Sequence, residues 1–216
     1  LNVLQLCEKL SISKLIFASS FTVYGDSENF NDGKLTEDSP CLPKSLYGIG
    51  KLTGEHYIRV LGEKIGLQWN SLRMFNVYGP GQDMTREDQG VVKIFLKHAK
   101  DSGVIPMLGS PNRFRDLVYI DDVLECWVKC IKTETTNQIF NLGSGKKTTF
   151  KELISEIEEI VGRKVEIKVV GETVGDIKGS FADIDKARVL LGYEPKHSLK
   201  EGILILNSWL EKQKTT

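Results

Sequence analysis

The chain has 216 residues, and its 29 Lys plus Arg are balanced by 29 Asp plus Glu, for a formal net charge of zero. No long basic block occurs, which argues against a nucleic-acid partner, and no apolar run approaches the ~20 residues that cross a bilayer. The composition is that of an ordinary globular protein, long enough to bury a real core.

Residues 1–10 read as helix, and the opening Leu1-Asn2-Val3-Leu4-Gln5 has neither a basic region nor a small-residue cleavage site. The four cysteines are scattered, so the cytoplasm is the expected compartment. Lys14-Leu15-Ile16-Phe17-Ala18 reads as a buried strand running into Ser19-Ser20-Phe21-Thr22-Val23-Tyr24-Gly25. Residues 45–65 read as a long helix carrying Tyr47-Gly48-Ile49-Gly50-Lys51. Residues 70–77 form a second strand, closed by Tyr78-Gly79-Pro80-Gly81. Strands alternating with helices predict an α/β fold with a parallel sheet.

Beyond Gly81 the pattern predicts a polar loop over 82–89, a helix over 91–100, and then loops rich in Gly, Pro and Asn up to Arg113. A helix follows over 121–132. In it Cys126 and Cys130 lie one turn apart among apolar residues, which reads as two buried thiols rather than a redox pair. A strand over 138–142 ends in Gly143-Ser144-Gly145. Thr149-Phe150-Lys151-Glu152 is a capping box that opens a helix ending near Gly162. Residues 165–170 alternate as a strand, and helices over 185–191 and 199–210 complete the chain. His56, His98 and His197 stand in no metal-ligand spacing, so no metal is expected. Gly143-Ser144-Gly145-Lys146-Lys147-Thr148 is not a phosphate loop, because Phe140 stands where that pattern needs its first Gly.

The chemistry concentrates at the predicted strand ends, where open parallel sheets bind ligands. Tyr47 and Lys51 are four apart on a helix and share a face. A phenol with a pKa near ~10 is a poor base at neutral pH, and a neighbouring ammonium favours its ionised form. Ser20 can supply a hydroxyl to the same substrate oxygen. Such a trio can take a proton from a hydroxyl while a hydride leaves the same carbon.

The segments around Ser20, Tyr47 and Arg73-Met74-Phe75-Asn76-Val77-Tyr78-Gly79-Pro80-Gly81 belong to one pattern. It continues through Arg115-Asp116-Leu117-Val118-Tyr119-Ile120-Asp121-Asp122, Asn141-Leu142-Gly143-Ser144-Gly145 and Ala182-Asp183-Ile184-Asp185-Lys186-Ala187. In these segments the chain resembles the extended short-chain dehydrogenase/reductase family, in its UDP-glucose 4-epimerase-like sugar-nucleotide branch. The resemblance implies an incomplete Rossmann-like, doubly wound parallel sheet plus a smaller α/β substrate-binding domain. Residues 1–81 would belong to the NAD-binding domain, with 116–145 returning to it, and residues 82–216 to the substrate domain. It implies Ser20, Tyr47 and Lys51 as the catalytic set. Ser19, Tyr47, Lys51, Phe75 and Val77 would lie on the cofactor side. Ser20, Thr22, Asn76 and Arg115 would bind substrate, a role a guanidinium fork suits at a diphosphate. The other reading of Arg115 is an ion pair with Asp116 or Asp121. The implied cofactor is NAD, with NADP the alternative, and the implied partners are a nucleotide sugar and a second copy of the protein. That homodimer would form through the helix over 1–10 and the Tyr47 helix.

Three departures matter. The family's Gly-rich dinucleotide turn has no counterpart and is expected to precede Leu1, so this chain alone should bind NAD poorly. Phe21 and Thr22 stand where dehydratases of the family carry an Asp-Glu pair, which favours epimerisation over dehydration. A dehydratase or reductase of the same family, an inactive fragment and a non-catalytic relative are the other readings. Thr173, three residues before the family's Gly-Asp counterpart at Asp176, replaces an arginine that often grips the diphosphate.

Overall fold

A computed structural model describes residues 1–25, 31–83, 85–86, 89–171 and 179–214. In chain order the elements are α1 (Asn2–Lys9), β1 (Lys14–Ser20), β2 (Lys34–Leu35), α2 (Leu46–Ile65), β3 (Gln68–Met74) and β4 (Asn76–Tyr78). Next come α3 (Val91–Asp101), β5 (Val104–Leu108), β6 (Phe114–Arg115), β7 (Leu117–Tyr119), α4 (Ile120–Lys132) and β8 (Gln138–Leu142). The rest are β9 (Thr148–Thr149), α5 (Phe150–Val161), β10 (Glu166–Gly171), β11 (Gly179–Ala182), α6 (Asp185–Leu191) and α7 (Leu199–Lys214).

β1, β3 and β8 form a parallel sheet in that order. Alternate side chains of a strand face opposite sides, and here both sides are covered by helices. Leu15, Phe17 and Trp69 pack with Leu4 and Cys7 of α1 and Ile58 of α2. Ile16, Leu72 and Phe140 pack with Val123, Cys126 and Cys130 of α4. This two-sided burial is the doubly wound α/β arrangement that the alternation predicts. Cys126 and Cys130 are fully buried and not disulfide-bonded.

The expected single strand over 70–77 is two strands, broken at Phe75. β3 pairs with β8, whereas β4 pairs in parallel with β7. The Phe75 N–H still bonds the Leu142 carbonyl at 2.9 Å, but the Asn76 N–H bonds the Asp116 carbonyl at 3.1 Å. The backbone thus changes partner at one residue. The Asp116 carboxylate is buried and accepts from Ser144 N at 2.6 Å, Ser144 Oγ at 2.7 Å, and Gly145 N and Ala182 N at 3.0 Å each. Burial raises its pKa, and those N–H and O–H donors oppose the rise.

The expected loop up to Arg113 contains a strand, β5, paired in parallel with β10. Its five residues hold a Pro, and only Ile105 and Met107 point inward, too short a pattern to stand out in sequence. The short strands β2, β11, β6 and β9 make a further sheet, parallel except for β6 with β9. A second large core gathers Phe95 and Leu96 of α3, Ile105 and Met107 of β5, Leu153 and Ile157 of α5, and Ile203 and Leu206 of α7. The capping box opens α5 as expected, with Thr149 and Glu152 bonding each other's backbone N–H. Helix α7 reaches Tyr78 only because residue 202 is glycine: a Cβ there would lie 2.2 Å from the Tyr78 hydroxyl.

Candidate active site

The site is built at the carboxyl ends of β1 and β3. Ser20 ends β1 and caps a 3-10 turn over Phe21–Val23. Its Oγ accepts from Thr22 N at 3.3 Å and from Thr22 Oγ1 at 3.0 Å. With both acceptor positions used by Thr22, the Ser20 proton is left to donate elsewhere.

Helix α2 starts beside this turn. Ser45 caps it by accepting from Gly48 N at 3.0 Å. Gly48 is needed for the approach, since a Cβ there would lie 2.6 Å from the Thr22 carbonyl oxygen. The adjacent Tyr47 ring is 58% exposed, so its hydroxyl is open to a ligand. Lys51 lies one turn on, with Nζ 5.4 Å from the Tyr47 ring centroid, and donates to the Ala18 carbonyl at 2.7 Å.

One further turn along the same face, Glu55 is buried and accepts from the Ser19 hydroxyl. Arg73 grips it through Nε to Oε1 at 3.0 Å and Nη2 to Oε2 at 2.7 Å. The guanidinium also covers the Tyr24 ring at 4.8 Å, and the Tyr24 hydroxyl donates to Asn141 Oδ1 at 2.6 Å. Ser19, Arg73 and Asn141 are register partners across the three strands. They form a buried polar row one residue below the ligand-facing strand ends. Burial works against the Arg73 charge, but the hydrogen bonds and charge interactions with Glu55 and Tyr24 together outweigh it and hold its pKa above the usual guanidinium range. Burial pushes the Tyr24 phenol up, with Arg73 opposing.

The third segment supplies Phe75, whose ring stacks on Phe21 at 5.3 Å with 20° between planes. Asn76 anchors to the Asp116 carbonyl with its side-chain N–H, at 3.1 Å, as well as its backbone N–H. Arg115 and Arg113 both lie over the Phe150 ring, at 5.5 and 5.2 Å. The carboxylate of Asp116, one of the two ion-pair partners considered for Arg115, is taken up by Ser144, Gly145 and Ala182.

These groups surround one cavity of about 810 Å³. Ser19, Ser20, Thr22, Tyr47, Phe75, Asn76, Val77 and Arg115 all line it. Lys51 stands behind Tyr47 instead of in the wall, and the Ser19 hydroxyl is turned inward to Glu55. Thr173 and Asp176 lie outside the described residues. Sequence reasoning missed Glu55, Gln82 and Arg113. Glu55 was findable, because it continues the four-residue spacing of Tyr47 and Lys51. The other two lie in segments without periodicity. Among the described residues, no group of three or more His, Cys, Asp or Glu could hold a metal ion, and no helix is long and apolar enough to cross a membrane.

The residues present fit a nicotinamide nucleotide. The stacked Phe21–Phe75 pair and Val77 give an apolar wall, and the Tyr47 ring stands beside it with Lys51 behind.

The family model described as "NAD dependent epimerase/dehydratase family" matches residues 1–143. The UDP-glucose 4-epimerase of Thermotoga maritima, solved with UDP-glucose, superposes with a TM-score of 0.92 at 34% identity, over 98% of this chain and 68% of that one. The UDP-glucose 4-epimerase of Thermus thermophilus, solved with NAD, gives 0.85 at 31% identity, over 97% and 68% of the respective chains. The dTDP-4-dehydro-6-deoxyglucose reductase of Escherichia coli is 36% identical over 191 residues, which are 88% of this chain and 59% of that protein.

Proposed function

The chain belongs to the NAD dependent epimerase/dehydratase family, whose enzymes use NAD, and we propose that it carries the proton-transfer and substrate-binding groups of a sugar-nucleotide 4-epimerase. One observation carries the reading: Ser20, Tyr47, Asn76 and Arg115, from four separate segments, line the same cavity. The relatives solved with UDP-glucose and with NAD support it.

NAD, when bound, supplies the hydride acceptor and donor. The chain's own groups handle the proton. Tyr47 takes it from the sugar 4-hydroxyl and returns it after the 4-keto sugar has turned over. Lys51, one turn away with its Nζ on the Ala18 carbonyl, would hold the nicotinamide ribose. Ser20, whose acceptor positions Thr22 occupies, donates a hydrogen bond to the reacting oxygen. Asn76 and Arg115 hold the diphosphate, and Ser19, Phe75 and Val77 form the cofactor side. Phe21 is stacked on Phe75 and offers no acid for elimination, which disfavours a dehydratase. The two larger cores support a division into a cofactor-side domain and a substrate domain, with Ala182, Ile184, Ala187, Leu191 and Tyr193 packed into the first core.

Val3, Leu6 and Leu10 at α1, with Tyr57 and Val60 of α2, are exposed apolar side chains on two helices in contact. They support a homodimer formed through these helices. Four free thiols support a reducing compartment, the cytoplasm.

The test is interconversion of UDP-glucose and UDP-galactose by the full-length enzyme in the presence of NAD. Turnover in wild type that collapses in Tyr47→Phe supports the reading; equal turnover in both removes it. The reductase among the relatives favours one other reading, a net reduction of a keto sugar. Stoichiometric loss of NADH absorbance with substrate would select that reading, because epimerisation shows none.

A further inference from the structure

We propose that Gln82 is a sugar-binding residue, its carboxamide oxygen accepting a hydrogen bond from a hydroxyl of the hexose. The inference rests on the nucleotide-sugar reading of the cavity and names a contact that the reading does not contain.

Gln82 lines the cavity just past the β4 end. Its Nε2 donates to the Val77 carbonyl at 3.5 Å. That acceptor fixes which way the amide faces, because a flipped amide would set two carbonyl-type oxygens against each other. Oε1 is therefore the atom turned from Val77. It is buried and has no hydrogen-bond partner within the protein. A buried acceptor at a cavity wall calls for a donor, and a sugar hydroxyl is a donor of the right kind.

The side chain is held for this task from two sides. Gly90 has φ +83°, and a Cβ there would lie 3.0 Å from Gln82 Nε2, so any larger residue would press on the amide. Lys93 is 2% exposed and donates to the Asp83 carbonyl at 2.5 Å and to the Arg86 carbonyl at 2.6 Å. A buried ammonium thus pins the backbone that follows Gln82 to helix α3, which fixes the approach of the amide before any ligand arrives.

Position within the cavity identifies the donor. Arg113 and Arg115 share the Phe150 ring and bring N–H groups, which suit phosphate oxygens. Gln82 instead hangs from the Val77 carbonyl in β4 and presents an acceptor. No Asp or Glu lines the cavity among the described residues. Hydroxyl donors there meet neutral amide and hydroxyl oxygens, and Gln82 Oε1 is such an acceptor.

Calorimetric titration of the full chain separates sugar from nucleotide, with UDP-glucose and UDP as the two probes. In Gln82→Leu the Kd for UDP-glucose should rise about tenfold, equivalent to about 1.4 kcal/mol, while the Kd for UDP stays within about twofold. Gln82→Met, which keeps side-chain length without the amide, should repeat the result if the leucine variant fails to fold. A UDP-glucose Kd within twofold of wild type, or an equal loss for both probes, overturns the proposal. Wild type that binds neither probe overturns the nucleotide-sugar reading itself, and this inference with it.

Discussion

Glu55 and Arg73 are joined by two parallel hydrogen bonds, of 3.0 and 2.7 Å, beneath the cavity floor. The pair is buried on both sides, with side chains 3% and 4% exposed. Glu55 also takes the hydroxyl of Ser19, the residue before Ser20, and it sits one turn from Lys51, which takes the Ala18 carbonyl. Two successive residues of β1 are therefore fastened to the helix that carries Tyr47. Removing one member strands a buried charge, which costs about 3–5 kcal/mol. Arg73→Met and Glu55→Gln should each lower stability by that order in a urea melt, the second because its amide leaves the Arg73 charge unpaired and turns an NH2 group toward a guanidinium N–H. A loss below about 1 kcal/mol in Arg73→Met would show the pair to be dispensable.

Tyr47→Phe removes one oxygen from an exposed ring, so the fold should be untouched. Interconversion of UDP-glucose and UDP-galactose should fall by about 10²–10⁴-fold, the range for a positioned acid–base group. Thermal melting should stay within a degree or two of wild type. A large drop in melting temperature would instead assign Tyr47 a structural role.

Gly48→Ala places a Cβ 2.6 Å from the Thr22 carbonyl oxygen. The helix start or the Ser20–Thr22 turn must then shift. Overpacking of this kind costs about 1–3 kcal/mol, although alanine is the better helix former. Turnover should fall while the Kd for UDP is unchanged. Normal turnover in this variant would mean that the spacing of α2 from the turn does not matter.

Glu37 gives a pH dependence with a definite sign. Burial raises its pKa above the usual carboxylate range, and the Asn141 N–H, bonded to it at 2.7 Å, opposes the rise without cancelling it. A folded-state pKa above the unfolded one means that the folded protein favours the protonated acid. The associated stability is present below the unfolded pKa and lost as pH rises through the folded one. Glu37→Gln keeps an acceptor for Asn141 and does not ionise. It should match wild type near the acid end of this range and become the more stable of the two as pH approaches neutrality. Parallel melts across that range check it, and a difference that shrinks as pH rises contradicts the assignment.

The long elements were legible because their signals are repetitive. Helix α2, with Ser45 before it and Gly66 after it, ends where those residues dictate. The capping box of α5 was readable to the residue. Legibility failed where a strand was short or changed partner. Nothing in residues 70–77 announces that Phe75 ends one pairing and begins another, because the cause is the Asp116 carbonyl, forty residues away. β5 was hidden by Pro106, which reads as a breaker although it pairs here. At the site, Ser20, Thr22, Tyr47, Phe75, Asn76, Val77 and Arg115 line one cavity while Lys51 does not, and the partners of these residues were not predicted. Ser19 turns away from the cavity to meet Glu55, and Gln82 enters it from a segment without pattern.

The switch of partners at Phe75 has a mechanical consequence. Met74 is hydrogen-bonded into one sheet and Asn76 into another, so the shortest covalent path between them runs through one residue. Rotation about that residue's two dihedrals would swing Asn76, the proposed diphosphate ligand, relative to Ser20 and Tyr47, the proposed proton-handling groups. The Phe21–Phe75 stack lies at this joint, so such a rotation would have to carry the Phe21 ring along or break its contact.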